Sequence, residues 1–234
     1  MSVRYAAVMA IVVGFDGCKA GWVGVKLENG LFTAAMVSET ISAAIDAVPD
    51  AAAIGVDMPI GTPESEPRAA EREAKQLLGA RAATIFLTPP QAVLEAPTYT
   101  AARLLSTQQF GRSVSAQAYA LRHRILELAP LAAADTRIHE VHPELAFREM
   151  NGGEPIAANK KSWAGQTRRR RLLARCGVDL PEDLGMAGAV APDDILDAAA
   201  AAWTAGRIAR RRARRLPKSA LPSKSAVPRE GIWY

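Results

Sequence analysis

The segment MAIVVGFDGCKAGWVGVKLENGLFTAAMV, residues 9–37, decides the fold of this chain. It opens with a continuous apolar run that ends at Asp16, a pattern typical of a buried strand. Residues 22–27 form a second predicted strand, and Asn29-Gly30 is a strong two-residue hairpin turn into a third. Because connections this short join neighbouring strands of opposite direction, the segment predicts an antiparallel meander of three strands.

Two further strands and several helices complete the predicted sheet. Residues 51–57 read as another buried strand, and residues 137–141 read as a short fifth one, each reached through helical segments. A meander followed by two strands of this kind is the plan of ribonuclease H-like folds. We therefore expect an α/β, RNase H-like mixed five-stranded sheet, an antiparallel three-strand meander plus two parallel strands with helices on both faces. One domain is expected over residues 1–234, with a helical and loop insertion at about 60–135.

The two ends of the chain are expected to lie outside this core. Residues 1–8 carry neither an alternating nor a helical pattern, and Met9 is a plausible initiator, so this segment is predicted to be a dispensable extension. The rival interpretation is an edge strand that extends the first strand backwards over residues 3–8. A last long helix is predicted over residues 192–216, followed by an extended, proline-rich C-terminal tail, 217–234, that packs only through its last three residues.

Composition describes an ordinary globular chain. Its 234 residues include 29 Lys and Arg, 24 Asp and Glu, and 49% hydrophobic residues. Cys18 and Cys176 fit neither a disulfide framework nor a CxxC zinc site, which favours a reducing, cytoplasmic compartment. The longest apolar run, residues 5–14, is about half as long as a membrane span, so no membrane association is expected. A homo-oligomer is compatible with this composition.

Acidic residues stand at the ends of the predicted strands. Asp16 ends the first strand, Asp57 ends the fourth, and Glu140 lies in the fifth. The carboxyl ends of parallel strands converge on the ligand crevice of an open sheet, so these three acids are expected to meet. The last helix adds Asp194 and Asp197, which share one helix face at i,i+3.

Carboxylates gathered in this way repel one another unless cations neutralise them. Hard divalent ions with oxygen ligands, Mg²⁺ or Mn²⁺, are the natural partners. All five acids are therefore catalytic candidates, and the four aspartates among them are the expected metal ligands. Structural interpretations also exist: Asp16 fits a turn, Asp57 fits a cap of the loop that follows it, and Glu140 with His142 fits a satisfied polar pocket. The neighbouring Asp193 fits a helix N-terminus, whereas Asp197 is harder to explain by capping.

Positive charge is concentrated in the second part of the chain. Residues 151–234 carry 16 basic and 8 acidic side chains. Six arginines in nine positions cannot be offset by local i,i+4 pairs, which favours an anionic partner such as nucleic acid, bound through its phosphates. A solvated helix face is the alternative. The cluster consists of Arg207, Arg210, Arg211, Arg212, Arg214 and Arg215.

Seven ordered segments resemble one known family. They are GFDGCKAGWV, IGVDMPIGTP, LGARAATIFLTPP, GRSVSAQAYAL, EVHPELAF, NKKSWAGQTRRRRLL and PDDILDAAAAAWTA. These strings resemble the signature segments of the prokaryotic DUF429 family, domains of unknown function that are described as predicted RNase H-like nucleases. The resemblance covers about residues 11–234, and it implies a hydrolase, a metal-dependent nuclease.

The resemblance also implies which residues surround the active centre. These are Asp16, Asp57, Glu140, His142, Glu144, Asp194 and Asp197. Residues that would suit contacts to an anionic substrate are Lys19, Arg81, Gln117, His142, Lys160 and Lys161. The closing string DDILDAAAAA is similar to the last helix of RuvC-type resolvases, in which two acids at i,i+3 bind metal. The first-helix glutamate of ribonuclease H proper has no clear counterpart here, which favours the resolvase-like arrangement.

The sequence is therefore compatible with three functions. The leading hypothesis is a metal-dependent phosphodiesterase that acts on nucleic acid. The second is an actin-like or sugar-kinase-type phosphate enzyme that binds a nucleotide, because GFDGCKAG loosely resembles the first phosphate loop of sugar kinases. The segment after Asp57 contains prolines instead of a second glycine-rich loop, and this counts against the nucleotide-binding hypothesis. The third is a noncatalytic nucleic-acid-binding protein with vestigial acids.

Overall fold

The computed structural model describes residues 10–218 and 231–234. Its main sheet has five strands in the order β3-β2-β1-β4-β5. The first three pair antiparallel, and β4 and β5 continue the sheet parallel to β1. The predicted α/β class, with a three-strand meander plus two parallel strands, is therefore confirmed. The strands are β1 (Ile11–Cys18), β2 (Gly21–Glu28), β3 (Leu31–Ser38), β4 (Ala53–Val56) and β5 (Ile138–Glu140).

Helices fill the connections between these strands. Those from α2 to α6, with a 3-10 turn over Gly79–Thr84, lie between β4 and β5, in the region where an insertion is expected. None of the helices in the described part of the chain combines the length and the apolar content that a membrane span needs. The helices are α1 (Ile41–Asp46), α2 (Ala69–Leu78), α3 (Gln91–Leu94), α4 (Tyr99–Phe110), α5 (Ala116–Ala120), α6 (Arg122–Ala134), α7 (Pro143–Met150), α8 (Trp163–Arg175) and α9 (Pro192–Ala209).

Helices cover both faces of the main sheet. Val12 and Val25 pack on one face with residues of α7, α8 and α9. Val13 and Ile54 pack on the other face with residues of α1 and α6. Because side chains alternate between the two faces of a strand, the even-numbered residues of β1, from Val12 to Asp16, face α9.

The backbone of α9 lies directly against β1 and β4. A Cβ atom on Gly14 would stand 2.0 Å from the amide nitrogen of Ala202, and one on Gly55 would stand 2.6 Å from the carbonyl oxygen of Ala201. The facing residues of the helix, 198–202, are all alanines and have no exposed surface. Small residues on both sides therefore permit an approach that larger side chains would prevent.

The last helix ends earlier than predicted. Instead of continuing to residue 216, α9 stops at Ala209, and Arg211 adopts a left-handed backbone conformation with φ 56°. The chain then forms β6 (Arg215–Leu216), which pairs antiparallel with β7 (Ile232–Trp233). This ribbon buries Leu216 and Ile232 against α2, a contact that a continuing helix would forgo. The prediction of a helix over residues 192–216 is therefore wrong at its C-terminal end.

Expectations about the chain ends are tested only in part. In the C-terminal tail, the described end pairs as a strand, and Tyr234 is buried. Trp233 also forms a parallel bridge with Val141. The remainder of the tail, residues 219–230, and the extension over residues 1–8 lie outside the described residues, so dispensability of the extension stays a prediction.

We predict that Gly14→Ala lowers the free energy of unfolding by about 3 kcal/mol, because the added methyl group overlaps the backbone of α9. Urea unfolding measures the change. Gly206→Ala, in the helix α9 that packs against Gly14, is the matched control. Its Cβ atom would meet the end of the flexible Arg210 side chain at 3.3 Å and a Val12 methyl at 3.6 Å.

The control is expected to leave stability unchanged or to raise it by up to about 1 kcal/mol, because alanine has the higher helix propensity. Equal losses in the two variants would contradict close packing of α9 at Gly14.

Candidate metal centre and its cavity

Three carboxylates converge where β1, β4 and α9 meet. Asp16 lies in β1, Asp57 directly follows β4, and Asp197 lies in the second turn of α9. One carboxylate oxygen from each lies within 4.8 Å of those of the other two. Asp16 and Asp197 are buried, and Asp57 is half-buried. We call these three residues the aspartate triad. The structure brings Asp16 and Asp57 together as the strand-end argument expects, and Asp197 joins them from the last helix.

Strand register and helix packing explain the convergence. Phe15 pairs with Val56 in the parallel ladder between β1 and β4, so the next residues, Asp16 and Asp57, stand side by side on the same face. The Asp57 amide also donates to the Phe15 carbonyl oxygen at 2.9 Å. The contact of α9 with Gly14 then places Asp197, just before the alanine face, over the same point.

Burial raises the pKa of all three carboxyls, and repulsion within the triad adds to the shift of Asp16 and Asp57. For Asp16, desolvation has the largest effect, followed by the charges of Asp57 and Asp197. For Asp57, desolvation again leads and the charge of Asp197 follows. Desolvation raises the pKa of Asp197 to about 6, against the opposing effect of Lys160. Such a triad favours the binding of a cation, and its purely carboxylate donor set fits Mg²⁺ or Mn²⁺.

Lys160 supplies one positive charge at the triad. Its Nζ atom lies 2.6 Å from Asp197 Oδ2 and 3.7 Å from Asp193 Oδ2. Burial opposes the charge of this ammonium, but the neighbouring carboxylates outweigh it and raise the pKa of Lys160 above its usual value. One ammonium beside three carboxylates still leaves an excess of negative charge. Lys160, a predicted substrate contact, therefore lies against the metal-binding candidates themselves.

Asp194 lies close to the triad without belonging to the group. Its charge contributes to the raised pKa of Asp16. Its own pKa is raised by desolvation and then by the charge of Asp193. Of the i,i+3 pair, Asp197 therefore belongs to the converging group and Asp194 does not, so the role of Asp194 as a metal ligand stays a prediction.

Glu140 does not meet the strand-end aspartates as expected. It pairs with Val56 in the ladder between β4 and β5, one residue before Asp57, and so it stands on the Val56 side of the sheet. Its carboxylate accepts two hydrogen bonds from Arg68, at 2.6 and 2.7 Å, and one from the Ile60 amide at 2.8 Å. This buried ion pair neutralises Glu140 and occupies its oxygens.

Sequence reasoning missed Arg68 and its partner Glu71. Both are buried at the start of α2, where Arg68 Nε donates to Glu71 Oε1 at 2.8 Å. Glu71 Oε1 also accepts from the Thr88 hydroxyl at 2.5 Å. Arg68 and Glu140 are 72 positions apart, so no local pattern connects them.

A cavity of about 500 Å³ opens over the triad. The ends of the strands, the insertion, the loop before α8 and the strand β7 all contribute to its walls. The predicted site residues that line it are Asp16, Asp57, Arg81, Gln117, Glu140, His142, Glu144, Lys160, Lys161, Asp194 and Asp197. Lys19 is the exception, because it is exposed in the turn between β1 and β2. The structure therefore gives no support to Lys19 as a substrate contact in this cavity.

A buried ion-pair network holds one wall of the cavity. Glu144 Oε1 accepts from Arg81 Nη2 at 3.0 Å and from Arg169 Nη2 at 2.6 Å. Arg169, which has no exposed surface, was also missed. It stands in a run of four arginines, and the only sequence signal was its spacing of i,i+3 from the buried Leu172.

His142 contributes a neutral imidazole to the wall. Burial lowers the pKa of His142 to about 4, although the charge of Glu144 and a hydrogen bond with the Thr84 backbone oppose the shift. Its Nδ1 atom has no hydrogen-bond partner within the described residues. At neutral pH, His142 can therefore offer a hydrogen bond but not a positive charge.

The exposed arginine cluster lies at the far end of α9 from the triad. From Asp197 to Arg210 the helix rises about 20 Å, at about 1.5 Å per residue. Within the cluster, Arg207 and Arg214 both pair with Glu149, at 3.1 and 3.4 Å. The exposed members are Arg210, Arg211 and Arg212, which follow α9, and Arg214, which precedes β6.

We predict that Asp57→Asn stabilises the metal-free protein at pH 7 by on the order of 1 kcal/mol, because the amide removes repulsion with Asp16 and Asp197. Thermal unfolding in EDTA measures the effect. Asp46→Asn, at an exposed position of α1, is the control and should leave the melting temperature unchanged. A lower melting temperature for Asp57→Asn would contradict the electrostatic account.

The pH dependence of this gain has a defined sign. An acid whose pKa is raised in the folded state stabilises the fold while protonated, and that contribution is lost as pH rises from the unfolded value through the folded one. For Asp57 the window opens at the usual pKa of 3.8 and extends well above it, because burial and the charge of Asp197 raise the pKa of this carboxyl. We therefore predict that the advantage of Asp57→Asn over the wild type is small at pH 4 and grows up to pH 7. An advantage independent of pH would be inconsistent with carboxylate repulsion.

Comparison with known proteins agrees with the resemblance of the seven segments. The chain matches the family described as protein of unknown function (DUF429) over residues 14–221. No curated protein and no solved structure was found to match. The matched region contains the whole aspartate triad and most of the cavity wall. Because the match covers most of its length, the chain belongs to the DUF429 family.

Proposed function

We propose that this DUF429 protein is a metal-dependent phosphodiesterase, an RNase H-like nuclease that acts on nucleic acid. The observation that carries the proposal is the convergence of Asp16, Asp57 and Asp197 within 4.8 Å of one another. Their positions, at adjacent ends of β1 and β4 and in the last helix, are those expected for RNase H-like enzymes of the resolvase type. The strand order supports the same assignment.

The triad has one chemical task in this proposal, which is to hold Mg²⁺ or Mn²⁺. When bound, such an ion supplies positive charge that stabilises the negative charge developing on a phosphate under attack. Burial, together with repulsion between Asp16, Asp57 and Asp197, raises the pKa of the Asp16 and Asp57 carboxyls, and a bound cation would relieve both effects. Lys160 holds the Asp197 carboxylate in place through its 2.6 Å ion pair.

Cations elsewhere on the cavity wall suit the remaining phosphate oxygens. Arg81 and Lys161 line the cavity, and Gln117 adds an amide that can donate or accept hydrogen bonds. Arg81 is oriented by its ion pair with Glu144, which in turn is held by the buried Arg169. We propose Arg81, Gln117 and Lys161 as substrate contacts. Arg169 is then a positioning residue, because it holds the Glu144 that orients Arg81.

The phosphate-loop alternative has less support from the structure. GFDGCKAG forms the end of β1 and the tight turn into β2, in which Cys18 pairs with Gly21. Lys19, at the tip of this turn, is exposed and does not line the cavity. The aspartate triad therefore remains the better basis for a function.

We predict that nuclease activity requires Mg²⁺ or Mn²⁺ and falls roughly 10³-fold or more in Asp16→Asn, which keeps the shape of the side chain but removes a metal-binding charge. Cleavage of labelled single-stranded oligonucleotides measures the rate. Asp46→Asn again serves as the control. Full activity of Asp16→Asn, or full activity in EDTA, is incompatible with the proposal.

The exposed arginine cluster is proposed to bind flanking nucleic acid at a distance from the triad. We predict that replacing Arg210, Arg211 and Arg212 by Ser weakens binding of long oligonucleotides of any sequence and flattens the salt dependence by about one unit for each phosphate that the variant no longer binds. The cleavage rate of a dinucleotide should not change, because it is too short to reach both places. An unchanged salt slope would assign these arginines to a solvated surface.

A further inference from the structure

The cavity over the triad combines three kinds of wall. Its floor is acidic, formed by the aspartate triad. One side carries donors that suit phosphate oxygens, namely Arg81, Gln117 and Lys161. Apolar side chains form a third part of the lining, and they include Met58, Ile85, Phe86, Leu121 and Ile232. A nucleotide has the same three parts in one molecule, because it carries a phosphate, a polar sugar and a flat apolar base.

The size and the position of the walls restrict what can enter. A volume of about 500 Å³ lies within the usual range of small-molecule sites. The walls rise on several sides of the triad, since the insertion supplies Phe86 and Gln117, the loop before α8 supplies Lys161, and β7 supplies Ile232. A paired and stacked duplex presents its backbone on a rod that these walls keep away from the floor, whereas a single nucleotide unit fits between them.

Phe86 is placed to receive a base. Its ring is half-buried and packs against two apolar clusters, one beneath α6 and one formed by α4 and α5, which fixes its position. Stacking on an aromatic ring tolerates every base, because each base has a π-face.

From these observations we propose that the site takes one unpaired nucleotide, with its phosphate at the aspartate triad and its base on Phe86, and that it excludes the interior of a duplex. The nucleotide can be free or can form part of a single strand. The proposal rests on the proposed phosphodiesterase function and names the substrate class for the same site.

The binding test compares two ligands that differ only by a base. UMP and ribose 5-phosphate are titrated into the full chain in Mn²⁺, and calorimetry gives the two dissociation constants. The wild type is expected to bind UMP about tenfold more tightly, within the range that base stacking supplies. Equal affinity for the two ligands in the wild type would overturn the base contact.

The variant test locates the preference at Phe86. Phe86→Leu keeps an apolar side chain for packing but removes the aromatic face, so UMP and ribose 5-phosphate should then bind equally. Phe86→Tyr should keep the preference. Phe110→Leu, a partly buried ring of α4 packed against the same cluster as Phe86, is the matched control and should also keep it. Loss of the preference in the control, or its persistence in Phe86→Leu, would contradict the proposal.

A cleavage test distinguishes failure of the single-nucleotide proposal from failure of the proposed phosphodiesterase function. Single-stranded oligonucleotides, blunt duplexes of the same sequence, and duplexes with single-stranded overhangs are incubated with Mn²⁺. Cleavage confined to single strands and overhangs is expected, and it would also show that the nucleotide comes from a strand. Equal cleavage inside blunt duplexes would overturn the inference and leave the phosphodiesterase intact. No cleavage of any substrate, together with no binding of UMP, would overturn both.

Discussion

The close contact between the backbone of α9 and the strands β1 and β4 is the constraint on which the rest of the structure depends. Gly14 and Gly55 leave no side chain between sheet and helix, and the facing residues of α9 are alanines. This contact fixes the height and the rotation of the helix. The position of Asp197 relative to Asp16 and Asp57 follows from it, since all three lie just beyond the contact. The alanine richness of the last helix is thus a geometric requirement of the site.

The site concentrates charge that the fold alone would not favour. Three carboxylates with raised pKa values destabilise the metal-free protein at neutral pH. Lys160 offsets part of this charge, and Arg68 neutralises Glu140 nearby. The remaining excess at the triad is what makes cation binding favourable. Repulsion of this kind is common where a group is retained for function at the expense of stability.

The sequence predicts those features that local patterns encode. The apolar run that ends at Asp16, the short connections and the Asn29-Gly30 turn suffice for the meander. The strand-end rule brings Asp16 to Asp57. The face on which Glu140 stands depends instead on the register of a parallel pair closed by a long insertion. The ion pair of Arg68 with Glu140 and the pairing of β6 with β7 likewise join distant segments. Such contacts have no local signal in the sequence. They determine which residues form the cavity walls and where α9 ends.

Manganese binding at the triad tests the central claim most directly. Crystals of the wild type and of Asp57→Asn would be soaked in Mn²⁺, and anomalous diffraction would locate the ion. The account predicts an anomalous peak between the carboxylates of Asp16, Asp57 and Asp197 in the wild type, and a much weaker peak or none in the variant. A wild-type structure with Lys160 still paired to Asp197 and no manganese between the three carboxylates would contradict it.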